Sequence, residues 1–200
     1  MSTESPSEHL LRQTQITATA RFHASARLKQ HDSLSLWAVS FASLALVFVP
    51  LLQPLGITTS IADSWVTLGS TAAATSILII SLLVGRANYG ARSEQMYRSG
   101  VEINAIARKV ESYIQQADTE PDRLAKLQDN YDAILEKYEN HADIDYRTAV
   151  IRKKPSRPDI TWAFKTTTFI LKHAEYLLYL VLLAAYPAFV AIVIWGVPFV

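Results

Sequence analysis

Apolar and polar positions along this chain separate into long blocks. Leu34 to Leu52 is a run of 19 residues without a charge, close to the ~20 that a helix needs to cross ~30 Å of hydrocarbon. A second run, Trp65 to Gly85, opens with small and hydroxyl residues (Gly69 to Ser76) and continues as Ile-Leu-Ile-Ile-Ser-Leu-Leu-Val. A third, Tyr176 to about Trp195, is strongly apolar and contains Pro187, which bilayer helices tolerate because neighbouring groups re-satisfy the freed carbonyl. Gln53 to Ser64 carries Pro54, Gly56 and a single charge, Asp63, so the first two runs are expected to form a tight transmembrane hairpin.

Between the second and third runs the pattern changes to heptads. Met96, Ile103, Val110 and Ala117 lie seven apart, with Ser99, Ile106 and Tyr113 interleaved. After a break at Asp-Thr-Glu-Pro-Asp (118–122), Leu124, Tyr131 and Tyr138 continue the spacing, with Leu127 and Ile134 between them. Two such helices predict an antiparallel coiled-coil hairpin. No proline falls between Trp65 and Gln116, so the first arm is expected to continue the second span, Arg86 to Ala117 projecting roughly 45–50 Å. Pro6 to about Asp32 predicts a further helix, with Leu10, Leu11, Thr14, Thr17, Ala18, Arg21, Phe22, Ser25 and Leu28 on one stripe. The expected fold is an all-α membrane protein. Its segments are an N-terminal cytosolic helix (1–33), a two-span transmembrane hairpin (34–85), a cytosolic helical hairpin (86–150), a basic linker and interfacial segment (151–175) and a third C-terminal transmembrane helix (176–200).

Charge gives this architecture a direction. The 200 residues hold 19 Lys plus Arg and 18 Asp plus Glu, a net +1. None of these charges falls in Ser33–Ala62, Ser64–Gly85 or Tyr176–Val200. The first 32 residues carry four basic residues, residues 86–175 the other fifteen, and the hairpin loop and C-terminal tail none. The basic excess marks the cytoplasmic side, which predicts the N-terminus and residues 86–175 inside and the C-terminus outside. Trp37, Trp65, Trp162, Tyr176 and Trp195 fall near the expected membrane boundaries, as an aromatic belt would. A cleaved signal peptide fits poorly, because 33 residues including acids precede the first apolar run. Long uncharged runs argue against one soluble core, 50% hydrophobic content against disorder, and near-neutral charge against direct nucleic-acid binding. Without cysteine there is no disulfide, thiolate metal site or cysteine nucleophile.

Extending the second heptad series places His141 and Asp145 on an otherwise apolar seam, in the string Asn140-His-Ala-Asp-Ile-Asp-Tyr146. A turn near residue 119 brings this string beside Arg92, Tyr97 and Arg98, and Arg21 and Arg27 should reach the same layer. The expectation is a membrane-proximal polar collar. It reads as a structural lock that fixes register, or as a gate or sensor that rearranges on a signal. A catalytic or metal role for His141 and Asp145 finds no second ligand pair, since His9, His23, His31 and His173 follow no ligand spacing. The six scattered glycines make no phosphate loop. No catalytic residue, metal or cofactor is assigned, and enzyme activity has no positive support. Ser70, Thr71, Thr75 and Ser76 are candidate pore-lining residues, or part of a small-residue band that lets helices approach closely through Gly69 and Ala73. Arg152, Lys153, Lys154 and Arg157 are candidate lipid-headgroup contacts, or simply the positive flank of the last span. Ile160 to Lys172 is a candidate interfacial segment.

Several of these stretches resemble one known family. Arg21-Phe-His-Ala-Ser-Ala-Arg-Leu28 before the first span, the two-span hairpin, Tyr97-Arg-Ser-Gly-Val-Glu-Ile103, and Tyr131 through Glu139-Asn-His-Ala-Asp-Ile-Asp-Tyr146 are similar to the SLATT domain over roughly residues 10–150. The third span departs from its minimal two-span pattern and suggests a variant with a C-terminal extension, either spanning or re-entrant. The resemblance implies a membrane effector of a bacterial anti-phage conflict system, in the inner membrane. Such an effector would oligomerise and form a pore or disrupt the membrane on a partner's signal, causing cell death or dormancy. Implied partners are membrane lipids, further copies of the chain, and an operon partner: a nucleotide second-messenger synthase, a nucleotide sensor or a reverse transcriptase. The competing reading is a non-conducting scaffold that recruits a cytosolic partner through the helical hairpin.

Overall fold

A computed structural model of the chain describes residues 5–52, 63–116, 120–153 and 158–195. All of its regular structure there is helical: α1 (Pro6–Leu52), α2 (Asp63–Ala87), α3 (Tyr89–Gln115), α4 (Pro121–Lys137), α5 (Asp143–Lys153) and α6 (Trp162–Trp195). Two helices, one within Pro6–Val49 and one within Ser64–Gln115, are long and apolar enough to cross a membrane. A third span is added if the two parts of α6, Trp162–Leu177 and Tyr179–Ala188, are taken together across their 41° bend. The Gln53–Ala62 part of the expected hairpin loop, Ala117 of the heptad series and the chain beyond Trp195 lie outside the described residues. The chain divides into two compact units, one of residues 1–29 and 90–172, the other of residues 30–89 and 173–200.

α1 crosses both units as one helix, and its buried positions explain how. Ala18, Arg21, Ala24, Leu28, His31, Ser35, Ala38, Ala42, Ala45 and Val49 are all buried. They follow one another at steps of three and four, the spacing of a heptad seam. Past His31 every buried member of that seam except Val49 is Ala or Ser, while Leu36, Trp37, Phe41, Leu44, Val47 and Phe48 stay exposed. This is how a helix packs in lipid, where small residues let backbones approach and large apolar ones cost nothing outside.

In the first unit the seam of α1 meets α3 and α4. Leu10, Ala18, Ile103, Ile106, Val110, Leu127 and Tyr131 form the core, with Phe22, Leu124 and Ile134 packed against it. The expected heptad residues Met96, Ser99, Ile103, Ile106, Val110 and Tyr113 are all buried. They face α1 as well as α4, so the coiled-coil hairpin is part of a three-helix body. Thr17 Oγ1 and Tyr131 OH, 2.9 Å apart, tie α1 to α4. Gly100 is buried beneath Phe22: a Cβ there would lie 2.9 Å from the Phe22 ring, which Tyr97 holds from another side at 5.8 Å between centroids.

One sequence expectation is refined and one needs correction. The second span and the first hairpin arm do follow on as one helical stretch, Ser64–Gln115, interrupted at the single residue Asn88, whose φ is +46°. Asn is among the few residues that enter the left-handed region at modest cost. The second heptad series does not continue to His141 and Asp145. α4 ends at Lys137, its cap residue Tyr138 is extended (φ −116°, ψ 150°), and a new helix starts at Asp143.

The Gly100 site makes a stability prediction. Gly100→Ala gains helix propensity but overpacks Phe22, and the net loss is expected to be about 1–2 kcal/mol. Phe22→Leu in the same chain should recover most of it, read as thermal unfolding in detergent micelles.

Candidate functional site

The centre of the first unit's polar chemistry is Arg27. Its guanidinium donates from Nε to Asp145 Oδ1 at 3.0 Å and from Nη2 to Asp145 Oδ2 at 2.9 Å. Both side chains are largely buried, at 14% and 3% exposure. Asp145 is also the third residue of α5 and accepts the Ala142 N–H at 3.3 Å. This is the reach-back half of a capping box, at the helix end where a carboxylate is favoured. One carboxylate therefore starts α5 and pins it to α1.

Further polar groups belong to the same unit. His141 lies in the non-helical stretch before α5, and its ring stacks on Tyr146 at 6.2 Å and 13°. Asn140 is exposed, with its Oδ1 accepting the His141 N–H at 2.9 Å. Arg92 forms a second two-pronged pair across the helices, Nε to Glu139 Oε2 at 2.9 Å and Nη2 to Oε1 at 2.7 Å. Further along α3, Glu102 accepts from Tyr138 OH at 2.7 Å and Lys137 Nζ at 3.2 Å.

Arg21 is the unusual member. It is 1% exposed, and its Nη1 donates to Met96 Sδ at 3.4 Å, while Nε has no hydrogen-bond partner. Ser99 Oγ, His23 Nε2 and His141 Nδ1 are also buried without a partner. Burial lowers the pKa of the Arg21 guanidinium, and Tyr131 and Glu139 pull it back up. His141 is pushed below the ordinary histidine value by burial first and by Arg21 second, with Asp145 opposing. His23 shifts the same way through burial, Lys172 and Arg152.

Arg21, Arg27, His141, Asp145 and Tyr146 thus come together, and Arg92 joins through Glu139, a residue the sequence reading did not single out. Arg98 does not join: it is 68% exposed and pairs with Glu94 one turn earlier on its own helix. Tyr97 is half-exposed and serves the Phe22 contact. Three of the four candidate pore-lining residues of α2 bond within their helix: Thr71 to Thr67 O at 2.8 Å, Thr75 to Thr71 O at 2.9 Å and Ser76 to Ala72 O at 2.8 Å. The fourth, Ser70, has a buried Oγ without a partner. Arg152 and Lys153 are exposed at the end of α5, while Lys154 and Arg157 lie outside the described residues. No group of three or more His, Asp and Glu placed to hold a metal occurs among the described residues.

The family model for SMODS and SLOG-associating 2TM effector domain family 5 (SLATT_5) matches residues 3–197. The chain belongs to this SLATT family. The match runs through α6, so the third apolar helix lies inside the matched region. No curated protein and no solved structure matches the SLATT chain.

The second unit of this SLATT protein holds a polar site that the sequence reading passed over. His31 is buried, with Nε2 3.1 Å from Glu175 Oε2 and Nδ1 3.4 Å from Tyr179 OH. Three tyrosine rings enclose it: Tyr89 at 5.2 Å, Tyr176 at 4.8 Å and Tyr179 at 5.7 Å. Tyr176 and Tyr179 also pack on Ala38, so α1 and α6 are fastened at their entry to the apolar segments. Of the residues expected near the membrane boundaries, Tyr176 is buried while Trp37, Trp65 and Trp162 are exposed; the Trp195 side chain lies outside the described residues. The signal was present in the three-and-four spacing of Leu28, His31 and Ser35.

Two outcomes follow. Asp145→Ala leaves the Arg27 guanidinium buried without its carboxylate and should cost about 3–5 kcal/mol, measured by unfolding in micelles. Arg27→Met with Asp145→Leu should restore much of that. Because His23 and His141 are lowered in the folded state, the unfolded chain binds more protons as pH falls through the ordinary histidine value of ~6.5. Stability should be level above that pH and decline below it, down to the lowered folded-state values. Combining His141→Asn with His23→Gln should flatten the decline in a melting series from pH 7.5 to 5.5.

Proposed function

We propose that this SLATT membrane effector assembles through its spans into a membrane-permeabilising oligomer when a signalling partner acts on its cytosolic helices. The observation that carries this reading is the state of α2. Its most apolar window has no buried residue within the protomer, and Trp65, Leu68, Leu78, Ile79, Leu82 and Leu83 are exposed. A spanning helix whose most apolar window is so little packed inside its own chain is available to other copies, and its Gly69–Ser76 band supplies the small residues that membrane helix contacts use. The hydroxyls of Ser70, Thr71, Thr75 and Ser76 would then line or flank the path.

In this reading the N-terminus and residues 86–175 face the cytoplasm of a bacterial cell and the C-terminus lies outside, in keeping with every Lys and Arg falling on one side. The Arg27–Asp145 pair keeps α5 on α1 at rest, and a partner encoded nearby, a nucleotide synthase, nucleotide sensor or reverse transcriptase, supplies the trigger. Loss of membrane integrity then ends in death or dormancy of the infected cell.

The test is controlled expression with the neighbouring genes and their activating signal, with membrane potential recorded by a voltage-sensitive dye. Collapse of the potential, reduced at least severalfold by Thr71→Leu with Thr75→Leu at equal membrane insertion, is the expected result. An intact potential with the partner bound would instead select a non-conducting scaffold.

A further inference from the structure

The first unit is the hydrophilic one, yet its last helical stretch shows large apolar side chains to the outside. Trp162 is 81% exposed, the highest value among the exposed large hydrophobic residues, and Phe169, Ile170 and Leu171 are each more than half exposed. This stretch is the start of α6, and the same helix goes on into the charge-free run from Tyr176. Its placement is fixed on the inner side. The Thr161 hydroxyl caps it by accepting the Phe164 N–H at 3.2 Å, the Phe164 ring lies under the Arg147 guanidinium at 5.2 Å, and Ile160 and Thr168 are buried.

The charges on this stretch are of one sign. From Ile160 to Ala174 there are two lysines, one histidine and no acid. Trp162 and Phe169 are seven residues apart, and so are Lys165 and Lys172, which puts an aromatic pair and a lysine pair along neighbouring lines of one helix face. Arg152 and Lys153 add exposed positive charge at the end of α5, in the same unit. Aromatic rings sit well at the boundary of a bilayer, lysine stems reach from there to headgroups, and clustered basic residues next to a span draw anionic lipid.

We infer that Trp162–Lys172 is an interfacial element that enters the bilayer boundary obliquely and recognises anionic lipid headgroups through Lys165, Lys172, Arg152 and Lys153. The continuity of α6 with its apolar half selects a lipid surface as the occupant, and Lys165, Lys172, Arg152 and Lys153, against the flanking acids Asp159 and Glu175, of which Glu175 is engaged by His31, select an anionic one. Arg147 links this element to the collar: it covers Phe164 and donates to Asp143 Oδ2 at 2.7 Å, on the helix whose Asp145 holds Arg27. Seating α6 at the boundary thereby also positions α5. The inference rests on the membrane reading and is independent of whether the protein conducts.

The chain lacks cysteine, so a single introduced cysteine can carry a nitroxide in the full-length protein. Labels at Ala163→Cys, at Asp129→Cys on α4 as a water reference and at Leu180→Cys as a hydrocarbon reference would be compared by accessibility to oxygen and to a water-soluble nickel chelate. Vesicles of phosphatidylcholine alone would be set against vesicles with about a third phosphatidylglycerol. The expected result is an oxygen-to-nickel ratio at residue 163 between the two references in the mixed vesicles, falling severalfold in neutral ones. Lys165→Glu with Lys172→Glu should produce the same fall in mixed vesicles, with the two reference labels unmoved. A water-like ratio at residue 163 in both vesicles would overturn the interfacial placement. An interfacial ratio indifferent to lipid charge and to the lysine reversal would overturn the headgroup recognition. Either failure would leave a membrane-potential collapse unaffected, so it is separable from failure of the permeabilising function.

Discussion

One helix has to keep a single side buried in two different solvents, and much of this structure follows from that constraint on α1. Its seam runs at three-and-four spacing from Ala18 to Val49 without a break. In the part that packs on α3 and α4, burial is rewarded by removing apolar surface from water. In the part that packs on Tyr176 and Tyr179 of α6, lipid removes that reward, and close approach has to supply the stability. The residue types narrow accordingly: before His31 the buried positions mix Leu10, Thr14, Arg21 and Leu28 with alanines, and after it they are Ala and Ser apart from Val49.

The polar members of the same seam show what such a design costs. Arg21 is a cation in a nearly closed environment with sulfur as its hydrogen-bond acceptor, a weak substitute for a carboxylate. Ten residues later His31 meets the opposite treatment, with both ring nitrogens engaged and three aromatic rings around it. Buried ion pairs such as Arg27–Asp145 add little net stability over an apolar replacement, but they are costly to break halfway and so specify one arrangement. The collar is accordingly better at choosing a geometry than at strengthening it.

The spans and the heptad residues were legible because each rests on a local rule: charge exclusion for the spans, seven-residue spacing for the arms. The collar was legible in part. Arg27 and Asp145 were expected in one layer without being paired, and Asp145 reaches its place by starting α5 and not by extending α4. The error at Arg98 has the same origin, since heptad arithmetic across the break after Lys137 assigns facing positions that the extended Tyr138 then shifts. Glu139 and Glu175 escaped notice because an acid beside a helix end or a span looks like ordinary solvated surface until its partner is placed. The interruption at Asn88 depends on one backbone angle, and no spacing pattern reports that. The small-residue seam of α1 could have been read directly, had Ala38, Ala42 and Ala45 been weighed by spacing instead of hydropathy.

The hydroxyls of α2 have a further consequence. Thr71, Thr75 and Ser76 each return their proton to a carbonyl of the preceding turn, so their donor capacity is already spent within the helix. What they present outward is mostly methyl and methylene, with oxygen lone pairs that can accept but do not require a bond. A surface made this way is nearly indifferent to its neighbour. Moving it from acyl chains to another helix, or to water, strands no donor and so imposes little penalty of its own in either direction.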